Sequence, residues 1–311
     1  MILIGRPSPR CLTHPFQRRV IWIALTLVAV CAAAAATAQG PPEQGNTFLW
    51  TIASPTATVH LLGSVHVASA DTYPLNPRIE SAFETADTLV LEMALDPATQ
   101  VQVGQKFASA GTYPEGDAID LHLNREALER LRERLNVLGA PFNTVRSFRP
   151  WFVATLLTLG ELQRLGYRPD LGIDVYFAGK ARSRKRILGL ESIDEQVALF
   201  AGMTETVQEE MLTETLNKLG SMGEYMGRAL QSWRTGNAKN IDELLVAPVR
   251  NDYPDMYRRL FVDRNQKMAA AVEGYLKASG NYFVVVGAGH LVGPGGILDL
   301  LRQRGYSPVQ E

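Results

Sequence analysis

The chain has 311 residues, two cysteines and nearly balanced charge, with 31 basic and 32 acidic side chains. This length suits one large hydrophobic core or two closely packed lobes. Because the net charge is slightly negative and the one basic run, residues 182–186, is short, we do not expect nucleic acid as a partner.

Residues 1–38 predict a cleaved export signal. Residues 1–19 hold four arginines and no acidic residue, and residues 20–36 carry no charge. Ala36, Thr37 and Ala38 then supply the small-x-small pattern that signal peptidases recognise, so we expect the mature chain to begin near Gln39. We therefore predict a periplasmic or secreted protein with no stable membrane span after processing. A retained anchor is the alternative, because the uncharged run is about 17 residues, the lower limit for a membrane span.

Removal of the signal leaves a chain without cysteine, since Cys11 and Cys31 both lie within it. Disulfides, thiolate metal sites and a cysteine nucleophile are thereby excluded for the mature chain. The formal net charge changes from −1 to −5 because four arginines are lost. Residues 39–46 are rich in Gly, Pro and Gln and predict a flexible leader, and residues 47–311 predict a single domain.

The predicted elements place strands near both ends of the domain and helices in the middle. Strands are indicated by β-branched, aromatic or continuous apolar runs, and helices by apolar residues three and four positions apart. The first two strands, 48–53 and 58–62, flank Ser54-Pro55-Thr56 and predict a hairpin. The elements that follow in chain order are helix 76–86, strand 88–93, helices 125–138 and 150–165, strand 186–190, helices 192–200, 204–233, 241–245 and 253–277, strand 282–286 and helix 297–303. We predict an α/β fold in which two related halves form a central mixed sheet with a large helical insertion between them.

Two Gly-x-x-His turns each follow one of the apolar strands near the ends of the domain. One runs from Gly63 to His66 and the other from Gly287 to His290. In open α/β sheets, ligands bind beyond the carboxyl ends of strands, and glycine allows a sharp turn there. His66 and His290 are therefore candidate ligand-binding residues. Two hydrogen-bonded structural histidines are the alternative.

Three charged residues complete the candidate site. Glu92 lies in the apolar run 88–93, where a carboxylate is costly unless it is paired or bound to a metal; a solvent-facing edge strand is the alternative. Glu191 follows the strand 186–190, although it could also be an acid placed before a helix. Arg264 lies in a helical segment and could equally form an ion pair between helices.

Three further polar residues fit structural roles. His60 alternates with apolar residues inside its strand, and His122 begins a polar loop with no partner nearby in the sequence. Asp174 could be an acid in the first turn of a helix.

The combination of motifs is more specific than any one of them. In chain order the motifs are Gly63-x-x-His66, Glu92, the segment 171–174, Leu190-Glu191-Ser192 with Gln196, Arg264-Asn265 with Met268, and the segment 287–291. Together they resemble the TraB/PrgY/GumN family, to which the Tiki proteins are related, over about residues 48–306. Ser192 replaces the threonine that is usual in the bacterial secreted branch. Tiki proteins are described as metal-dependent peptidases that use two Gly-x-x-His motifs and a glutamate.

The resemblance implies a metal-dependent hydrolase, with a peptide or amide bond as the first expectation and a peptide or small molecule as substrate. His66 and His290 would bind a divalent metal, with Glu92 as third ligand or general base. Nitrogen and oxygen ligands suit Zn²⁺, Mn²⁺ or Co²⁺ alike. Glu191 could hold one of the metal-binding side chains in position or orient the substrate. Arg264 could bind a substrate carboxylate through two hydrogen bonds.

Two other interpretations stay open. Pheromone-shutdown members of the family suggest that a peptide signal's activity is reduced, so a non-catalytic protein that sequesters a peptide or haem is one alternative. His66 and His290 would then contact the bound molecule. An inactive enzyme that serves as a scaffold is the other alternative.

Overall fold

The computed structural model describes residues 45–94 and 97–311. The predicted signal, residues 1–38, and most of the predicted leader lie outside the described residues. Within the described part, no helix is both long and apolar enough to cross a membrane.

Six strands form one mixed sheet in the order β4-β3-β5-β2-β1-β6. The strands are β1 (Leu49–Ala53), β2 (Ala57–Ser64), β3 (Thr88–Leu91), β4 (Arg186–Gly189), β5 (Gly280–Gly287) and β6 (Val309–Gln310). Strands β4, β3, β5 and β2 are parallel neighbours. Strand β1 pairs antiparallel with β2 as the predicted hairpin, and β6 pairs antiparallel with β1.

The helices connect and cover the strands. They are α1 (Pro77–Thr85), α2 (Pro97–Ala110), α3 (Arg125–Val137), α4 (Pro150–Arg164), α5 (Ile173–Ala181), α6 (Ile193–Ala201), α7 (Glu205–Lys218), α8 (Met222–Arg234), α9 (Ala238–Ile241), α10 (Ala247–Asp252), α11 (Pro254–Tyr257), α12 (Asp263–Lys277), α13 (Ala288–Leu291) and α14 (Ile297–Gln303). Two π-helical segments, Asp242–Val246 and Arg258–Val262, lie between helices. Short 3₁₀ turns span Ala70–Thr72, Ile119–Leu121, Phe142–Thr144, Pro169–Leu171 and Leu219–Ser221.

The centre of the sheet is buried on both faces. The four consecutive residues from Phe283 to Val286 in β5 are each 0% exposed, and successive side chains of a strand point to opposite faces. This explains why β5 is a continuous apolar run rather than an alternating one. On one face, Phe283 contacts Phe83 of α1 and Phe177 of α5. A second hydrophobic cluster joins α3, α4 and α7 away from the sheet, with Leu131, Val153 and Leu212 among its members.

The structure confirms the α/β class and the mixed sheet, and it partly agrees with the idea of two related halves. Strands β2 and β5, each followed by Gly-x-x-His, lie side by side and parallel, with Leu62 opposite Val285. The helical insertion is not continuous, however, because β4 divides it and joins the sheet beside β3. The predicted helix 204–233 is also interrupted, at the turn Leu219–Ser221. Helices α2 and α5 were not among the predicted elements, although Asp174 was interpreted as a possible first-turn acid.

Candidate functional site

The four parallel strands end at the same edge of the sheet, and that edge carries the candidate residues. Glu191 follows β4, Glu92 follows β3, His290 follows β5 and His66 follows β2. Since β4, β3, β5 and β2 are neighbours in that order, the chain brings these four side chains from distant sequence positions to one place. Arg264 reaches them from α12.

The two glycines of the Gly-x-x-His turns are needed for close packing. A Cβ at Gly63 would overlap the ring of Phe48, and the carbonyl oxygen of Gly63 accepts a hydrogen bond of 2.6 Å from the indole of Trp233. A Cβ at Gly287 would lie 3.3 Å from both Glu92 Oε1 and His66 Nε2. The absence of a side chain at Gly287 therefore lets these two candidate residues approach the same point.

Arg264 is the polar centre of the cluster. Its Nε donates to Glu191 Oε1 at 2.7 Å, and its Nη2 donates to Glu92 Oε2 at 2.7 Å and to Glu191 Oε2 at 2.8 Å. Its Nη1 donates to the carbonyl oxygen of Leu260 and to His290 Nε2, at 3.2 and 2.9 Å. A guanidinium has five N–H donors, and these contacts use all of them. In this arrangement Arg264 has no donor left for a substrate carboxylate.

Glu92 is buried and ionised. The residue is 8% exposed, and Oε1 accepts a hydrogen bond of 2.6 Å from the backbone N–H of Gly287. Burial alone would favour the neutral acid, but the rings of His290 and His66, both protonated in the acidic range where Glu92 titrates, the Arg264 guanidinium and the Gly287 N–H outweigh burial and lower the pKa of Glu92 to about 2. The solvent-facing edge alternative is wrong, because β3 lies between β4 and β5.

His290 is held as a neutral imidazole in one tautomer. Asn265 Nδ2 donates to the carbonyl oxygen of Gly295, which leaves Asn265 Oδ1 to accept the Nδ1–H of His290 at 2.6 Å. Nε2 of His290 is then an acceptor, consistent with the N–H that Arg264 donates to it. Burial lowers the pKa of His290 to about 4, so the ring is uncharged at neutral pH.

His66 differs from His290 in exposure and charge. Its side chain is 63% exposed, against 7% for His290, so it lies at the solvent side of the cluster. Its Nδ1–H donates to Asp174 Oδ2 at 2.8 Å, and the hydroxyl of Ser64 donates to Asp174 Oδ1 at 2.9 Å. The Asp174 carboxylate raises the pKa of His66 to about 9, which favours the imidazolium.

The donor chemistry of the cluster suits a divalent metal, although its present arrangement does not form a site. Both histidines bind hydrogen-bond acceptors through Nδ1, the contact that orients metal-bound imidazoles, and Nε2 of His66 and Oε1 of Glu92 flank the point beside Gly287. Among residues 45–94 and 97–311, however, no group of three or more His, Cys, Asp or Glu side chains is arranged to hold a metal ion. Arg264 contacts both His290 Nε2 and Glu92, so a metal there requires the guanidinium to move.

The structure brings all five candidate residues into one cluster, and it adds polar residues that the sequence did not assign to the site. The additions are Ser64, Asp174, Gln196 and Asn265. Asp174 does lie in the first turn of α5, as expected, but its carboxylate orients His66. Gln196 Nε2 donates to Glu191 Oε2 at 2.7 Å. Asp174, Gln196 and Asn265 do belong to the motifs that resemble the family, but their contacts were not predictable because the elements that bring them together are distant in the sequence.

The other two histidines of the domain lie outside this cluster. His60 Nδ1 is 2.9 Å from the hydroxyl of Thr51 on the paired strand β1. His122 has partners after all: its Nε2 is 2.7 Å from Asp117 Oδ1, and its Nδ1 is 3.1 Å from Glu205 Oε1. Asp117 is only five positions away, so the sequence interpretation missed a local partner.

Comparison with known proteins identifies the family of the chain. A model of the TraB/PrgY/gumN family matches residues 48–310. The chain is 24% identical over 266 residues to the uncharacterized protein YbaP of Escherichia coli K12, covering 83% of this chain and 95% of that protein. It is 25% identical over 325 residues to the metalloprotease TIKI2 of Danio rerio, covering 86% of this chain and 62% of that one.

A human relative and the solved structures complete the comparison. The chain is 23% identical over 350 residues to the metalloprotease TIKI1 of Homo sapiens, covering 92% of this chain and 68% of that protein. No solved structure matches the chain. Because the family model covers nearly the whole domain, this protein belongs to the TraB/PrgY/gumN family.

Proposed function

We propose that this protein is a metal-dependent hydrolase of peptide or amide bonds that acts in the periplasm or outside the cell. The observation that carries the proposal is the convergence of His66, Glu92 and His290 at the edge of the sheet, with Nδ1 of each histidine already bound. The similarity of the chain to the metalloproteases TIKI2 and TIKI1 supports the proposal further. The export signal predicted for residues 1–38 supports the location.

In the proposed site, His66 Nε2, His290 Nε2 and a carboxylate oxygen of Glu92 would hold the ion. A bound divalent metal would polarise the substrate carbonyl and lower the pKa of a water molecule. Zn²⁺, Mn²⁺ and Co²⁺ all suit this set of donors.

The surrounding residues keep these groups ready for that role. Asp174 and Asn265 orient the two rings, and His66 must lose its Nε2 proton before it can bind a metal. Arg264 keeps Glu92 ionised, and Glu191 balances the charge of Arg264. Glu191 and Arg264 therefore act on Glu92 and His290 rather than on the metal.

One observation favours a second candidate, a binding protein without catalysis. Arg264 contacts two of the three proposed donors, which leaves the cluster closed to a metal as it stands. Such a protein would use the same edge of the sheet to hold a peptide or haem.

Elemental analysis of protein purified from the periplasm separates the two candidates. The hydrolase predicts about one divalent metal per chain, a lower content in His66→Ala and an unchanged content in His60→Ala. His60 is a matched control because its partner is a hydroxyl on β1, away from the cluster. A protein whose bound metal is iron and that shows an absorption band in the Soret region would instead establish haem binding.

A further inference from the structure

A cavity of about 720 Å³ lies against the Arg264 end of the cluster. One wall is α6 with the start of α7, and the other is α11, the π-helical segment Arg258–Val262 and the start of α12. Glu191 and Arg264 belong both to the cavity lining and to the cluster. The volume falls in the range of roughly 300–1,000 Å³ that is typical of small-molecule sites, so the cavity can hold several atoms of a peptide chain next to Glu191 and Arg264.

Much of the charge around this cavity is already neutralised within the protein. Lys267 Nζ is 3.2 Å from Glu195 Oε1, and Arg258 Nη2 is 3.1 Å from Asp255 Oδ1. Arg259 donates two hydrogen bonds to backbone carbonyl oxygens at the end of α6 and just beyond it. Backbone carbonyl oxygens do not cancel the charge of Arg259, but the lining as a whole has four basic and four acidic side chains, Asp263 among the acidic ones. The lining therefore has no net charge that would select a strongly charged ligand.

The apolar lining residues are therefore the groups that remain to bind an occupant. Leu199 and Met203 come from α6 and the turn after it, Val207 comes from α7, and Met256 comes from the opposite wall. Methionine is flexible and polarizable, and it adapts to apolar groups of different shapes. Two methionines on facing walls suit a range of bulky apolar side chains rather than a single one.

We infer that this cavity is the substrate-binding subsite and that it takes a polypeptide segment with bulky apolar side chains, such as leucine or methionine, next to the bond that is cleaved. The inference rests on the proposed hydrolase, because the cavity is continuous with the cluster through Glu191 and Arg264. Selection comes from the Leu199, Met203, Val207 and Met256 side chains. The lining has no net charge that would attract a strongly charged segment.

The test measures binding separately from cleavage. The probes are three fluorescein-labelled hexapeptides of glycine that differ only at their two central positions, which are Leu-Met, Ser-Asn or Lys-Lys. Fluorescence anisotropy is recorded with a chelator present, so that metal-dependent cleavage does not interfere. We expect the wild-type protein to bind the Leu-Met probe roughly 10- to 100-fold more tightly than the Ser-Asn probe, as expected for burial of an apolar side chain.

Two lining variants and one control locate the binding. Met256→Glu and Val207→Glu place a charge at partly exposed positions of the lining, so each is expected to fold. Both should weaken binding of the Leu-Met probe at least tenfold and strengthen binding of the Lys-Lys probe. Val137→Glu introduces the same charge at a residue of α3 that is 76% exposed and far along the chain from the lining, and it should change neither affinity.

The outcomes separate this inference from the proposed function. Equal binding of the Leu-Met and Ser-Asn probes, no binding of either, or equal effects of Met256→Glu and Val137→Glu would overturn the subsite. A melting temperature close to wild type, together with tighter binding of the Lys-Lys probe, excludes misfolding as the cause of a lost affinity. If the protein binds the Leu-Met probe selectively but the metal-loaded protein does not cleave it, the subsite is supported and the proposed hydrolase function is refuted.

Discussion

Replacing Glu92 with glutamine tests the site most directly, because the substitution keeps the shape of the side chain and removes its charge. Glu92 accepts hydrogen bonds from Gly287 N and Arg264 Nη2, at 2.6 and 2.7 Å. A glutamine has one acceptor oxygen, so its NH₂ group must face one of these two donors. At least one short hydrogen bond is lost whichever way the amide turns.

The loss of stability in Glu92→Gln depends on the hydrogen-bond partners that Arg264 retains. In Glu92→Gln the guanidinium still binds Glu191 through contacts of 2.7 and 2.8 Å, so no buried charge is left without a partner. We therefore expect the free energy of unfolding to fall by about 1.5–3 kcal/mol, the value of a hydrogen bond to a charged group. The larger loss of about 3–5 kcal/mol that accompanies a stranded buried charge applies to Arg264→Gln instead.

The matched control is Glu191→Gln, which removes a carboxylate from the same guanidinium. It should cost a similar amount of stability, but Glu191 has no hydrogen bond to either histidine among the described contacts. With metal-loaded protein and a peptide-cleavage assay, we expect Glu92→Gln to lose at least about 10²-fold in rate and Glu191→Gln to lose less than about tenfold. Denaturant melts give the stabilities.

Two results would refute this reasoning. Full hydrolysis by Glu92→Gln would remove Glu92 from the chemistry and favour the binding-protein candidate. Equal losses of rate in Glu92→Gln and Glu191→Gln would show that both substitutions act by changing the position of the Arg264 side chain.

Three further predictions concern export, orientation and pH. The intact mass of exported protein should begin at Gln39 or within a few residues of it, and a full-length mass in the membrane fraction would show that residues 1–38 are a retained anchor. Asp174→Asn should lower metal affinity by roughly 10- to 100-fold, because the carboxylate orients His66, and an unchanged affinity by competition titration would contradict that role. Glu161 is 5% exposed, and its hydrogen-bonded ion pair with Arg164 lowers the pKa of the Glu161 carboxyl in the folded protein. The ion pair therefore stabilises the fold fully above the unfolded pKa of about 4.3. This stabilisation is lost as the pH falls through the lower pKa of the folded state. Melts of wild type and Glu161→Gln between pH 3 and 6 should therefore converge toward low pH, and parallel curves would contradict the assignment.

The fold was largely predictable where one local pattern determines the structure. The apolar run of β5 and the hairpin of β1 and β2 were read directly from residue type. Helix α2 was missed because its apolar residues do not form a clear stripe, and α5 because it is short and apolar on most sides. The break between α7 and α8 was missed because a single 3₁₀ turn hardly changes the apolar spacing.

The candidate residues were predictable from their position at strand ends, but their partners were not. Parallel strands need long connections, so the neighbours of Glu92 in space come from β5, α6 and α12, more than 100 residues away. A sequence shows that a carboxylate follows a buried strand. It does not show which cation reaches it across the end of the sheet.

Arg264 illustrates the difference. The sequence left two roles open for Arg264, a cation for a substrate carboxylate or a member of an ion pair, and in the structure its five donors are used within the protein, with Glu92 and Glu191 as its acidic partners. The same guanidinium contacts both Glu92 and Glu191 and donates to the lone pair of His290 Nε2. Because Arg264 also lines the 720 Å³ cavity, the guanidinium has space beside it on the side where we place the substrate. Movement of Arg264 away from His290 and Glu92 would therefore expose two of the three proposed metal ligands and change the lining of the subsite in a single step.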